Sequence, residues 1–264
     1  MRIDLHNHTK LCNHAVGEIE EYIEKAIEEK IDIFGFSDHA PMEFDRKYRM
    51  SLEEAPLYEA MVLGAKERYK NEIEILLGYE VDFLPGLMEE RILEAPVDYL
   101  IGSVHFISKS DNELWGFDNP EFIGEYKNAD IDKIWEDYFE AIRQMAKSGL
   151  FQIVGHLDLI KVFNFKPKKD VRLIAKDAIK AIKEAGMAVE INAAGFRKPV
   201  EEAYPSQQLL EMVYEAQIPI TFGSDAHAPE QVGFAKDAIR DLAKEIGFDE
   251  QALFHNKQME LVAL

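Results

Sequence analysis

Short apolar runs alternate along the chain with longer segments whose apolar positions recur at helical spacing. The runs at 2–8, 31–38, 73–81, 98–106, 151–157, 187–192 and 218–224 have strand length and end in polar residues. Within 18–29, Ile19, Tyr22, Ile23, Ala26 and Ile27 keep the helical period. Ile131, Ile134, Trp135, Tyr138, Ile142 and Met145 do so within 130–148, and Val171, Ile174, Ala175, Ala178 and Ile182 within 170–184. Strands alternating with helices predict an α/β fold with a parallel sheet, either open or closed. The chain shows neither a Gly/Ser linker nor a low-complexity segment, so 1–264 reads as a single domain.

The strand ends decide between sheet and barrel. Successive strand side chains point to opposite faces, so Asp4, His6 and His8 share one face, as do Gly78, Glu80 and Asp82. The same parity groups Ser103 with His105, Val154 with His156 and Asp158, and Asp225 with His227. Each polar residue falls at the C-terminal end of its strand, where βα barrels gather their active sites. Ligands converging from so many strands fit a closed barrel better than the single crevice of an open sheet. The expected fold is a distorted seven-stranded (β/α) barrel.

Seven of the eight histidines lie in these strand-end motifs. His6 and His8 flank Asn7, and an i, i+2 pair on one strand face can hold one ion. Taken alone, His-x-His is a common accident. Glu80 and Asp225 close otherwise apolar strands, and a buried carboxylate needs a cationic partner. A strand-to-helix cap is the plain alternative for Asp225. His105, His156 and His227 end further strands; His39 ends the second, and His14 lies in the loop after the first. A lone histidine in such a place is more often hydrogen-bonded structure than ligand, but their number tips the balance toward a metal cluster. Imidazoles with few carboxylates suit borderline divalent ions. Asp38 reads as a partner orienting an imidazole, or as a turn residue before Pro41; Asp4 invites the same orienting role toward His6. Arg197, in Gly-Phe-Arg-Lys-Pro, can clamp a phosphate in fork geometry or be merely solvated. Lys161 is a weaker anion candidate, and His255 reads as surface. Aromatic residues of the 106–126 insert could pack a substrate ring or simply pack the loop.

Composition narrows the partners. Thirty basic against fifty acidic residues give a net charge of −20, which disfavours nonspecific nucleic-acid or anionic-membrane binding. A phosphorylated substrate then needs metal cations to reverse the local potential. One cysteine, Cys12, excludes an internal disulfide and fits a cytoplasmic location. No apolar stretch approaches the roughly 18 residues of a membrane span. Walker A, Gly-x-Gly-x-x-Gly and Gly-x-Ser-x-Gly motifs are missing from the sequence. The oligomeric state is not readable.

The motifs together resemble the polymerase-and-histidinol-phosphatase (PHP) superfamily. They are His-x-His-Thr…His at 6–14, Ser-Asp-His-Ala at 37–40, Gly-x-Glu at 78–80, Ser-Val-His at 103–105, Gly-His at 155–156 and Ser-Asp-Ala-His at 224–227. Gly-Ser-Val-His-Phe-Ile, Gly-His-Leu-Asp-Leu-Ile-Lys and Glu-Ile-Asn-Ala-Ala-Gly-Phe-Arg-Lys look like its histidinol-phosphate phosphatases. The resemblance implies a distorted (β/α)7 barrel with three divalent ions, zinc, iron or manganese. It implies His6, His8, Glu80 and Asp225 on one ion, with Glu80 bridging to a second held by His105 and His156. His14, His39 and His227 would hold the third. Cys12 departs from the serine common in relatives.

The implied activity is hydrolysis of L-histidinol phosphate, a small phosphorylated substrate, by a hydroxide bridging two ions. Arg197 and the third ion would neutralise phosphoryl charge. Asp38, His39 or a metal-bound water would protonate the leaving alkoxide. Lys161 and Asp158 are further substrate contacts, with Glu113, Asp118 and Asp158 the candidates for the substrate's amine. Rival readings are another PHP-type hydrolysis, of nucleotides, phosphodiesters or phosphotyrosine, and a metal-binding barrel without turnover.

Overall fold

The structure, a computed structural model, describes residues 1–108 and 113–264. Along the chain run β1 (Ile3–Asp4), β2 (Ile33–Phe36), β3 (Glu74–Asp82), β4 (Tyr99–Ser103), a hairpin of β5 (Phe106–Ser108) and β6 (Leu114–Gly116), then β7 (Ile153–Val154), β8 (Ala188–Asn192) and β9 (Ile220–Gly223). Seven of these form one parallel sheet in the order β1-β2-β3-β4-β7-β8-β9. Backbone bonds then join its first strand to its last. Leu5 N donates to Phe222 O and His8 N to Ala226 O, both at 2.9 Å, and Asp225 N donates to His6 O at 2.7 Å. The sheet is thereby drawn round into a barrel, as the strand-end chemistry predicts.

The helices are α1 (Ile19–Glu28), α2 (Ala55–Tyr69), α3 (Glu90–Leu93), α4 (Ile131–Ser148), α5 (Val171–Ala185), α6 (Gln207–Glu215) and α7 (Lys236–Ile246). The three helices predicted from periodicity lie within a residue of their expected bounds. Local chemistry sets those limits. Asp130 and Asp170 accept backbone N–H bonds at the starts of α4 and α5; Gly149 and Gly186 end them at φ 69° and 67°. The apolar stripes, Ile134, Tyr138, Ile142 and Met145 on α4 and Ala175, Ala178 and Ile182 on α5, are buried against the outside of the sheet.

Inside the barrel a second, smaller cluster is formed by Ile3, Leu5, Ile33, Leu76, Tyr99, Ile101, Ile153 and Ala188. Tyr99 fills its centre and donates to Leu5 O at 2.6 Å. A Cβ on Gly78 would lie 2.5 Å from that ring, so glycine is required opposite it. The C-terminal residues form a hairpin of β10 (Glu250–His255) and β11 (Gln258–Ala263). Ala252, Leu253 and Phe254 join the inner cluster and close that end of the barrel. His255 is on this hairpin, 2.7 Å from Glu74.

Several strands are shorter than their apolar runs. The 98–106 run breaks after Ser103, and Phe106 restarts in the β5–β6 hairpin. Regular pairing of β1 stops at Asp4 and of β7 at Val154. Parity still carries His6 and His8 to one donor group, with Asn7 bridging Ala226, but it fails for Asp158 after β7. Part of the 106–126 insert, 109–112, lies outside the described residues.

Candidate metal centre

Seven of the nine expected ligands, His14, His39, Glu80, His105, His156, Asp225 and His227, line one cavity of about 680 Å³, and the buried ring of His8 stacks 3.9 Å from that of His227. His6 completes the set from the floor, its ring 5.1 Å from that of His8 and 5.8 Å from that of His156. Two ligands reach the cavity through unusual backbone: His156 has φ 23° and Asp225 φ 53°. A left-handed turn at a non-glycine residue costs of order 1–3 kcal/mol and needs surrounding structure to hold it.

The donor atoms fall into groups. Nε2 of His8 is 3.2 Å from Asp225 Oδ1, and Nε2 of His6 is 3.4 Å from Glu80 Oε2. On its other oxygen, Glu80 meets His156 Nε2 at 2.9 Å and His105 Nε2 at 3.6 Å. A tetrahedral ion with N and O ligands at about 2.0–2.2 Å holds them roughly 3.3–3.6 Å apart; the 3.2, 3.4 and 3.6 Å spacings are close to that, while the 2.9 Å His156–Glu80 contact is a direct hydrogen bond. His6 Nε2, His8 Nε2, His39 Nδ1 and Glu80 Oε2 are buried and make no hydrogen bond. Buried polar atoms are rarely left so, and here they point at one another. The donor set fits divalent ions at His6–His8–Asp225 and at Glu80–His105–His156. The third group differs from expectation in detail. His39 and His227 gather with His8, whereas His14 gathers with His227 and the Cys12 sulfur.

The outward nitrogens are anchored. His6 Nδ1 meets Glu190 Oε1, and His105 Nδ1 meets Asp82 Oδ1, each at 2.7 Å. His8 Nδ1 faces Asp38 Oδ1 at 3.4 Å, and His14 Nδ1 donates to Cys12 O at 2.8 Å. Such outer partners fix ring orientation and aim Nε2 inward. Glu190 also accepts from His156 N at 2.9 Å, so one carboxylate sets two ligands. Asp82 is held in turn by the buried Arg49, 2.8 Å away.

The electrostatics describe a cluster short of positive charge. Burial opposes protonation of His6, but Glu190, Glu80 and Asp225 overcome it and hold the imidazole well above its usual range. Burial likewise opposes the carboxylates that raise His8 to about 9 and His105 to about 10. Glu80 and Asp225 are held well below the carboxylate range, against burial, by the imidazoles around them. Burial, with Glu80 opposing, lowers His39 to about 3.

Arg197 is at the cavity wall. Its Nη2 donates to Ser224 O and Asp225 O, both at 2.9 Å, its guanidinium stacks 5.0 Å from the Phe234 ring, and its buried Nη1 has no partner. Other expectations are corrected. Lys161 does not face the cavity; its buried ammonium bonds Ala203 O at 2.7 Å and pairs with Asp158 and Glu202, each at 3.1 Å. Asp158 gives Oδ2 to that pair and to Ser206 N, and neither residue lines the cavity. Asp38 takes the orienting role rather than the proton-donating one. Its oxygens serve Thr9, His8 and His39 N, and it does not line the cavity. Asp4 holds Ser224 and Asn7 instead of orienting the His6 ring; that partner is Glu190. Glu113 is exposed and off the cavity, whereas Asp118 lines it. The Cys12 thiol is buried, and that burial pushes it far above the ordinary thiol range.

Fold and site together define a metal-dependent βα-barrel protein. The PHP domain family matches residues 4–194, and the chain belongs to that family. It is similar to a Deinococcus radiodurans protein named "probable histidinol-phosphatase", at 38% identity over 96% of this chain and 97% of that one. A Bacillus subtilis histidinol-phosphatase is 28% identical over 89% of this chain and 97% of its own. The fold matches a Lactococcus lactis histidinol phosphate phosphatase, solved with zinc, L-histidinol and phosphate, with TM-score 0.77, 22% identity and 98% of both chains covered.

Proposed function

We propose that the chain is a metal-dependent phosphomonoesterase that hydrolyses L-histidinol phosphate to L-histidinol and phosphate. Residues 1–264 would act as one catalytic unit in the cytoplasm. The observation that carries this reading is the convergence of the ligand groups at one cavity, beneath an arginine with an uncommitted donor. Similarity along nearly the whole chain to proteins named histidinol-phosphatases supports the substrate.

His6, His8 and Asp225 would hold one ion, and Glu80, His105 and His156 a second, with Glu80 reaching both. His14, His39 and His227 would hold a third. Their mixed N/O donors admit zinc, iron or manganese. Bound divalent ions supply Lewis-acid charge to the phosphoryl oxygens and bring water ionisation near neutrality. The chain supplies the rest. Arg197 is fixed by two carbonyls before substrate arrives, so its Nη1 meets a phosphoryl oxygen without reorganisation. Glu190, Asp38 and Asp82 keep the imidazoles aimed inward. Asp38 has no cavity face from which to protonate the leaving group.

The test is anaerobic metal analysis paired with phosphate release from histidinol phosphate, sugar phosphates, nucleotides and diesters. About three ions per chain and a clear kcat/KM preference for histidinol phosphate are expected. A preferred nucleotide or diester would overturn the substrate, and one ion or fewer would overturn the trinuclear centre.

A further inference from the structure

One carboxylate of the cavity wall has no lysine or arginine to balance it among the described residues. Asp45, Glu80, Asp118, Glu121 and Asp225 line the cavity. Glu80 and Asp225 face the imidazoles. Asp45 is paired with Arg49 at 2.9 Å, and Glu121 faces Lys47 across 3.5 Å at the exposed rim. Asp118, just after β6, is half-buried and has no lysine or arginine partner among the described residues. It belongs to none of the candidate metal groups found among them. The charged groups that act on it are His105, Asp82 and His156. Arg197 is bonded to the carbonyls of Ser224 and Asp225 after β9, whereas Asp118 belongs to the insert that follows β4, and in the closed sheet these two strands are separated by β7 and β8 one way round and by β1, β2 and β3 the other. Phe106 and Phe122 line the wall on which Asp118 sits. A carboxylate kept there without a partner is costly, and apolar walls strengthen its pull on any cation that enters.

We propose that Asp118 is the ammonium subsite, pairing with the primary amine of a phosphate ester whose phosphate lies against the histidine cluster and Arg197. This rests on the substrate reading above and adds the residue that selects an amino-bearing ester. Anion and cation of the substrate are then held at opposite walls, which fixes its direction in the cavity.

The test compares histidinol phosphate with its des-amino analogue, 3-(imidazol-4-yl)propyl phosphate, on the metal-loaded wild type and Asp118→Asn. The variant should lose roughly 10–100-fold in kcat/KM on histidinol phosphate, mostly in KM, as expected for one charge-assisted contact. On the des-amino ester the two proteins should agree within about twofold, with metal content unchanged. Calorimetric binding of L-histidinol should weaken by a similar factor while that of inorganic phosphate does not. Equal losses on both esters, or no loss on histidinol phosphate, would overturn the inference. A wild type inactive on histidinol phosphate sinks the substrate reading by itself. The pair then becomes 2-aminoethyl against propyl phosphate, where selective loss supports Asp118 and its absence overturns it.

Discussion

Replacing Glu190 by glutamine tests whether the site is built from outside inward. Glu190 is 1% exposed and touches no substrate surface; it lies behind the ligands on β8. One oxygen meets His6 Nδ1 at 2.7 Å, and the other accepts from His156 N at 2.9 Å and Asn192 Nδ2 at 3.1 Å. A carboxylate accepts on both sides. Glutamine must turn its NH2 toward either the His6 ring or the His156 amide, putting donor against donor. Leaving one buried donor unsatisfied costs about 1–3 kcal/mol, and the negative charge holding His6 in orientation is lost as well. Outer-partner changes typically weaken metal binding about 10–100-fold, equivalent to roughly 1.4–2.8 kcal/mol. Glu190→Gln should therefore bind metal about 10–100-fold more weakly, with the deficit at both principal groups because His6 and His156 belong to different ones. Competition against a graded series of chelators measures this directly. Gly223→Ala offers a second approach, since its new Cβ would lie 2.0 Å from Glu190 Oε1 and 2.6 Å from His6 Cβ. Wild-type metal affinity in Glu190→Gln would refute the argument that this carboxylate orients the ligands.

Arg197→Ala should raise KM and lower kcat/KM roughly 10–1000-fold at unchanged metal content, with Arg197→Lys a partial rescue; full activity in steady-state assays would remove it from the phosphate clamp. Lys161→Met should leave the kcat/KM of folded protein nearly unchanged but destabilise it by about 3 kcal/mol, because Asp158 is left buried and unpaired; a selective catalytic loss without a drop in Tm would contradict that assignment. Metal binding at pH 7 should release about two to three protons per chain, read from calorimetry in buffers of different ionisation enthalpy, because His6, His8 and His105 hold raised pKa values that metal must displace. For the metal-free protein the sign follows from the same shifts. His8 and His105 contribute stability that is complete below their ordinary pKa of about 6.5. That contribution is lost as pH rises through about 9 and about 10, so Tm should fall over that window. A flat profile there would refute it.

The ligand residues were legible because each demands an unusual sequence event: a histidine or carboxylate ending a run that burial otherwise keeps apolar. Glu80 and Asp225 stand out for that reason, and so does the His-Asn-His at the end of β1. The outer partner Glu190 was harder to see, since it sits inside β8, where an inward polar residue is hidden among apolar neighbours. Strand parity found Glu80 and Asp82 together because β3 stays regular through both. It misassigned Asp158 because β7 loses regular pairing after Val154 and the backbone turn at His156 then chooses the side-chain direction, whereas Asp4, inside β1, is taken by Ser224 and Asn7 rather than by the His6 ring. Lys161 shows a different limit. A lysine after a strand end reads as an anion contact only if its charge is free; of the two carboxylates that neutralise it, Asp158 lies three residues upstream and Glu202 about forty downstream, and both are aimed at it only in the folded chain. Asp118 is the converse. From sequence it was one of several acidic residues in an insert; in the fold it lines the cavity with no lysine or arginine partner and in no metal group among the described residues. Whether a charged side chain is functional is thus decided by what neutralises it, a long-range property that local pattern does not contain.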